Sequence, residues 1–144
     1  MKLSHAATPP ALLAVILLAS LSLGCSELDR IKARAYLGGA DSQLLVGHAY
    51  ETGTGVKQDP KEAMRWYRKA VEQGHPKAFG LVGRLYGMGF GVKRDLVTAN
   101  MYFQLGYRRG ETHLSEFIET IEHKLRDGEI QKSIQLADSW EERH

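Results

Sequence analysis

The central part of the sequence, residues 39–111, repeats itself at a fixed interval of 36 positions. Glycines, aromatic residues and an aspartate recur in the same order in both copies. A fixed period in this range is typical of stacked repeat arrays, in which each unit buries its apolar face only against its neighbours. The two copies therefore predict a small repeat array. The matching pairs include Gly47 and Gly83, Tyr50 and Tyr86, Asp59 and Asp95, Ala63 and Ala99, Tyr67 and Phe103, and Gly74 and Gly110.

Each copy predicts two helices, because its apolar residues recur at steps of three and four. In the first copy Asp59 is a helix-capping residue before the second helix, and Gly74 is a stop signal after it. Gly47 lies inside the first helix, where glycine costs about 1 kcal/mol relative to alanine. Its presence in both copies predicts a close approach of two helices at this point, with Ala63 or Ala70 opposite.

Three stretches of the first copy carry a recognisable pattern: LVGHAY at residues 45–50, GTGVKQD at 53–59 and AMRWYRKA at 63–70. By these stretches the repeat resembles the Sel-one-like repeat (SLR) family. The second copy departs from the family pattern in having Tyr102 for the tryptophan and Gly106 for the last alanine. The resemblance implies helical hairpins similar to tetratricopeptide repeats, stacked into a right-handed superhelix that holds other proteins.

Helical spacing also marks the two flanks of the repeats. Leu28, Ile31 and Ala35 before Gly38 predict an N-terminal cap helix, since two repeats alone are marginal. After Gly110, two amphipathic segments separated by Asp127-Gly128 predict a helical hairpin that covers the open end. The predicted fold is therefore an all-α, short α/α solenoid of seven helices. Its apolar positions in the last two helices are Leu114, Phe117, Ile118, Ile121 and Leu125, then Ile130, Ile134, Ala137 and Trp140.

The chain divides into four predicted segments. They are a signal peptide at 1–24, a lipidated N-terminus with the cap helix at 25–39, two repeats at 40–112, and the C-terminal helix pair at 113–144. The polar tail that includes Asp138, Glu141, Glu142, Arg143 and His144 is expected to fray.

The N-terminus predicts export and lipidation. Residues 11–23 form an uncharged, mostly apolar run whose helical length of roughly 20 Å is shorter than the ~30 Å of a bilayer core, as in a signal peptide. The segment 21–25, LSLGC, resembles the bacterial lipobox, which implies lipidation of Cys25. The alternatives are an ordinary signal peptide with a chance cysteine, or a retained anchor. By the same resemblance, Ser26 favours the outer membrane, facing the periplasm.

Composition argues against several classes of function. The formal net charge is only +2, which gives no case for nucleic-acid binding, and a single cysteine excludes an internal disulfide. The sequence has no Gly-Lys-Ser/Thr phosphate loop, no H-E-x-x-H metal motif and no G-x-S-x-G nucleophile motif. We therefore expect no catalytic site, no metal and no cofactor.

The candidate binding residues follow from the family resemblance, in which the first helix of each hairpin lines a concave surface. Phe79 stands where the other copy has Gln43, and Met88 where it has Thr52, so both are candidate interface anchors. The alternative for Phe79 is local core against the C-terminal hairpin. The partner-binding candidates are Gln43, His48, Phe79, Arg84, Met88 and Phe90.

Three hypotheses for function follow. The first is a non-enzymatic, lipid-anchored periplasmic adaptor of the bacterial cell envelope that binds an unidentified envelope protein on its concave face. The second is a cell-wall ligand binder or hydrolase, acting on peptidoglycan or a β-lactam, as the resemblance implies for disulfide-rich relatives. The third is a structural protein that stabilises a larger complex by its outer face.

Overall fold

A computed structural model describes residues 26–144, so Cys25 and the predicted signal peptide lie outside the described residues. The described part is all-α, with seven α-helices, one short 3-10 helix and no strand, which confirms the predicted fold. The helices are α1 (Glu27–Tyr36), α2 (Ala40–Thr52), α3 (Pro60–Glu72), α4 (Pro76–Met88), α5 (Leu96–Arg108), the 3-10 helix (Thr112–Leu114), α6 (Ser115–Glu122) and α7 (Asp127–Glu141).

The helix boundaries follow from residues that recur every 36 positions. The side chains of Asp59 and Asp95 accept hydrogen bonds from backbone N–H groups in the first turns of α3 and α5. Gly74 and Gly110 lie just beyond the ends of the same helices, with φ angles of +72° and +97°. Glycine adopts this conformation without a Cβ clash, so each hairpin can turn sharply into the next.

Gly47 permits a close approach of α2 and α3, as the sequence predicted, but its neighbour is different. A Cβ atom at Gly47 would lie 2.5 Å from the ring of Tyr67, and one at Gly83 would lie 2.8 Å from the ring of Phe103. The nearest residue is therefore an aromatic ring in both copies, and not the predicted Ala63 or Ala70. In the second copy Ala99, the equivalent of Ala63, is also close, since its carbonyl oxygen lies 3.1 Å from a Cβ atom built at Gly83. Because each glycine has no side chain, a large ring can pack directly against the backbone of the facing helix.

The core is continuous from the first repeat into the closing helix pair. Its centre lies between α3, α4 and α5, and Ala137 of α7 belongs to the same cluster. The largest fully buried apolar and aromatic side chains are Trp66, Tyr67, Phe79, Leu85, Leu105, Val46 and Val82. Burial of this surface, at roughly 25 cal/mol per Å², is the main force that stacks the hairpins.

The closing pair differs from the prediction in two details. The helix α7 begins at Asp127, so Gly128 lies in its first turn and the chain breaks earlier, between α6 and α7. The tail is anchored as far as Glu141, because Arg108 donates to Asp138 at 2.8 Å and to Glu141 at 2.9 Å. Both α6 and α7 pack against α5, and a buried hydrogen bond of 2.8 Å joins Asn100 of α5 to Ser133 of α7.

Gly106, which departs from the repeat pattern, has a packing reason. A Cβ atom there would lie 2.6 Å from Leu114, and one at Gly80 would lie 3.0 Å from the same leucine. Leu114 of the 3-10 helix therefore lies between two glycines, one on α4 and one on α5. The second repeat has Gly106 in place of the family's alanine because Leu114, at the start of the closing pair, occupies the space that an alanine methyl group would need. None of the helices within 26–144 has both the length and the apolar character needed to cross a membrane.

Candidate functional site

A groove opens between the first helices of the repeats and the closing pair, with a cavity volume of about 310 Å³. Its surface is mostly apolar, and its polar groups stand at the edges. Phe117, at one side, is 46% exposed. We call this feature the groove and define it by its lining residues: Leu44, Lys77, Gly80, Leu81, Arg84, Phe103, Glu111, His113, Leu114 and Phe117.

The repeat register explains why the groove lies in this place. Leu44 and Gly80 occupy equivalent positions 36 residues apart, on α2 and α4. Because Gly80 has no side chain, Leu114 of the 3-10 helix approaches α4 closely and closes one end of the groove. Leu81 and Arg84 follow on the same face of α4 at helical spacing. The groove therefore combines the first helices of both repeats with the start of the closing pair.

A buried carboxylate holds Arg84 at the groove. Glu51 of α2 accepts a hydrogen bond from the Tyr67 hydroxyl at 2.7 Å and from the Arg84 guanidinium at 2.6 Å. Glu51 and Tyr67 are buried, whereas the Arg84 side chain is 41% exposed. Burial, together with the hydrogen bond to Glu51, raises the pKa of Tyr67. The phenol therefore stays protonated and remains a donor to Glu51.

Replacing Glu51 by alanine is expected to lower the free energy of unfolding by about 1–2 kcal/mol. The change leaves the buried Tyr67 hydroxyl without an acceptor, whereas Arg84 can turn to water. Replacing Tyr67 by phenylalanine, the residue at the equivalent position 103, should lower the free energy of unfolding by less, because Glu51 still has Arg84 as its hydrogen-bond and ion-pair partner. Equilibrium unfolding in urea measures both values. A larger loss for the tyrosine variant would contradict this arrangement.

Of the six predicted binding residues, only Arg84 lines the groove. Gln43 does not reach the surface: it is buried, donates to the carbonyl of Ala35 and accepts from Gln73 at 2.7 Å. It joins α1, α2 and α3, and so the expectation that it faces a partner is wrong. The repeat register placed it on the first helix correctly but could not distinguish the groove face from the packed face.

Phe79 is also buried, with no exposed surface, contrary to its prediction as an interface anchor. Its ring meets the Trp140 ring edge to face, with 5.2 Å between centroids. The Arg109 guanidinium lies 4.5 Å from the Phe79 centroid and 4.9 Å from that of Trp140. The alternative reading, core against the C-terminal hairpin, is therefore confirmed. Position 79 has an apolar side chain where the first copy has Gln43, because α7 covers this position.

The other three candidates lie outside the groove. His48 and Met88 are exposed, and Met88 has 56% of its surface open to solvent. Phe90 is half-buried and packs against the main core. Sequence reasoning did not single out the groove residues from the second repeat onward, such as Lys77, Leu81 and Phe117. The available signal was their common helix face, since Lys77, Leu81 and Arg84 follow one another at steps of four and three.

The groove offers an apolar surface with a few polar groups at its edges. Lys77 and Arg84 stand on one wall, and Glu111 stands with His113 on the other, 3.4 Å apart. In the described range 26–144, no three His, Cys, Asp or Glu side chains are grouped so that they could hold a metal ion. The arrangement can accept an apolar side chain and orient charged groups beside it.

The Sel1 repeat model matches residues 40–75 and 81–111 of the chain. A curated relative, chitin synthase regulatory factor 3 of Schizosaccharomyces pombe, is 49% identical over 39 residues. That match covers 27% of this chain and 4% of the relative. The chain therefore spans only a small part of that protein.

Solved structures of repeat proteins share the fold. The protective antigen c5321 of uropathogenic Escherichia coli strains, which displays an SLR fold, matches 86% of this chain and 28% of its own length, with a TM-score of 0.74 and 31% identity. A Sel1 repeat protein from Oxalobacter formigenes matches 63% of this chain and 37% of its own, with a TM-score of 0.61 and 33% identity. Helicobacter pylori cysteine rich protein B, at 22% identity, covers 62% of this chain and 68% of its own, with a TM-score of 0.59.

Proposed function

Because this chain carries two Sel1 repeats, we propose that it is a protein–protein interaction module that binds a segment of its partner in the groove. Proteins with Sel1 repeats generally serve as interaction modules and are typically non-catalytic. The observation that carries the proposal is the apolar groove itself, which is lined by the first helices of the repeats and by Phe117.

An exposed aromatic side chain in the groove supports this face as the binding surface. Phe117 on α6 lines the groove and is 46% exposed. It adjoins the apolar walls formed by Leu44, Leu81 and Leu114. Contiguous exposed apolar surface on a soluble domain marks an interaction site more often than isolated residues do.

The size of the groove suits one anchoring side chain of a partner better than a broad interface. Its volume of about 310 Å³ is at the lower limit of ligand pockets, and Leu44, Leu81 and Leu114 give it apolar walls. One or two apolar side chains fill such a space. In protein interfaces a few central side chains in well-packed pockets contribute most of the binding free energy.

Substituting Phe117 by glutamate should reduce recovery of the partner at least tenfold, because the change puts a charge on apolar groove surface. Tyr107, on α5 and outside the groove, is the matched control, since it is an aromatic residue of similar exposure, 44% against 46%. Both variants and the wild type are used as bait in crosslinked cell envelopes, and the proteins recovered are compared. Equal recovery with both variants, or loss only with the Tyr107 variant, would refute binding in the groove.

We further propose that the protein acts at the bacterial cell envelope, anchored by lipid on Cys25 and facing the periplasm from the outer membrane. The support is the apolar run at 11–23 and the LSLGC segment that resembles a lipobox. An N-acylated and diacylated cysteine supplies enough buried CH₂ groups, at ~0.8 kcal/mol each, for stable anchoring.

Replacing Cys25 by alanine is expected to abolish incorporation of labelled palmitate and to release the protein from the membrane fraction. The wild-type protein should carry the label and sediment with outer membranes in a density gradient. If the alanine variant stayed in the membrane fraction, a retained apolar anchor would explain the attachment better than a lipid.

A further inference from the structure

The groove has an unequal distribution of charge, which bears on the chemistry of the segment it binds. Lys77 and Arg84 are seven residues apart on one face of α4, which places them about 10 Å apart along the helix axis, with Leu81 between them. Within residues 26–144 Lys77 forms no ion pair, whereas on the opposite wall Glu111 faces His113 at 3.4 Å. Among the described residues the α4 wall of the groove therefore carries two cations, of which Arg84 is paired with Glu51 and Lys77 has no acidic partner.

Arg84 is held in position before any ligand binds. Its NH2 group donates to Glu51, and the second oxygen of that carboxylate accepts from Tyr67. Because the negative charge is buried and shared with the tyrosine, the guanidinium is ordered while its exposed edge remains open to the groove. A planar guanidinium binds a carboxylate through two parallel hydrogen bonds, and an ordered one loses less entropy when it does so.

The apolar walls and the cations are adjacent on α4. Leu81 lies one turn from each of Lys77 and Arg84, and Leu44 faces them from α2. A ligand that filled only the apolar space would leave Lys77 and the exposed edge of the Arg84 guanidinium without partners, and a purely acidic ligand would leave Leu44, Leu81 and Phe117 exposed to water.

We infer that the groove binds a partner segment in which a large apolar side chain stands beside a carboxylate: the apolar group fills the space between Leu44, Leu81 and Phe117, and the carboxylate pairs with Arg84. Lys77 attracts a second acidic group two helical turns away. This inference rests on the proposed function, because it names the chemistry of the segment that the groove would hold. The acidic group makes the binding salt-dependent, since Lys77 is exposed.

The test is selection from a random peptide library with the full-length protein in detergent. Enriched peptides should combine an aspartate or glutamate with a leucine, isoleucine, phenylalanine or methionine one or two positions away. Their affinity should fall about tenfold in Arg84→Gln and about threefold in Lys77→Gln, as expected for the loss of one charged contact each. Lys57→Gln, in the loop after α2, is the control and should leave the affinity unchanged.

The variants separate a binding effect from a folding effect. Arg84→Gln removes a partner of Glu51, but Lys77 has no ion pair to lose, so Lys77→Gln reports the ligand alone. Enriched peptides that lack acidic residues, or that carry lysine and arginine instead, would overturn the inference. The proposed function would stand if Phe117→Glu still abolished their binding. If no peptide were enriched and Phe117→Glu had no effect on partner recovery, both would fail.

Discussion

Replacing Phe79 by alanine is expected to destabilise the protein by about 3–5 kcal/mol, the largest effect of any single substitution considered for this chain. The Phe79 ring is fully buried and packs edge to face against Trp140, with Arg109 across both rings. The substitution leaves a cavity where α4 and α5 meet α7, and it removes the contact that fixes α7. Thermal or urea unfolding measures the loss.

Met88 is the matched control, because it lies on the same helix and is 56% exposed. Its replacement by alanine should change the free energy of unfolding by no more than about 0.5 kcal/mol. If the Phe79 variant were as stable as the Met88 variant, α7 would not depend on this ring for its position. The contrast also means that Phe79 variants are unsuited to tests of partner binding, since they change the fold first.

Replacing Gly47 by alanine is expected to cost at least about 2 kcal/mol, although alanine is the better helix former by about 1 kcal/mol. The new Cβ atom would lie 2.5 Å from the Tyr67 ring. That ring is buried and held through its hydroxyl by Glu51, so it cannot move away without breaking a hydrogen bond. The loss should appear in equilibrium unfolding.

Gly128 provides the same substitution without the contact. It lies in the first turn of α7, and no atom lies within 4 Å of a Cβ atom built there. Alanine at 128 should therefore leave the stability unchanged or raise it by up to about 1 kcal/mol. If both glycine variants were stabilised, the close approach of α2 and α3 at Gly47 would not constrain the fold.

The sequence predicted the helices well because the residues that begin and end them occur in both copies of the repeat. Asp59 and Asp95 cap helices in both copies, and Gly74 and Gly110 end them with positive φ angles. These signals are local, since a capping side chain or a glycine acts on the residues next to it. The all-α solenoid with its cap helix and closing pair therefore followed from the sequence.

The burial of Phe79 did not follow, because it depends on α7. That helix does not repeat any other segment, and so no repeat register predicts how its Trp140 and Glu141 dock onto α4 and α5. The difference between copies, phenylalanine against Gln43, therefore does not indicate a partner contact. It marks instead the place where the closing pair packs against the last repeat, where a core side chain is needed.

The anchor of Arg84 was missed, although the two copies contain a signal for it. The first copy has Glu51 and Tyr67, and the second has Gly87 and Phe103 at the equivalent positions. The carboxylate and the hydroxyl occur together in one copy and are absent together from the other. Joint loss of an acceptor and a donor indicates a hydrogen bond between them, because either group alone would be buried without a partner.

The most direct test of the central claim, that the groove holds a partner, is photo-crosslinking in the native cells. A photoreactive phenylalanine derivative replaces Phe117 in one strain and Tyr107 in another, so each probe keeps an aromatic ring of similar exposure. We expect a discrete crosslinked partner from position 117 and none from position 107. A partner crosslinked from position 107 alone would show that the outer face binds, and it would contradict the account.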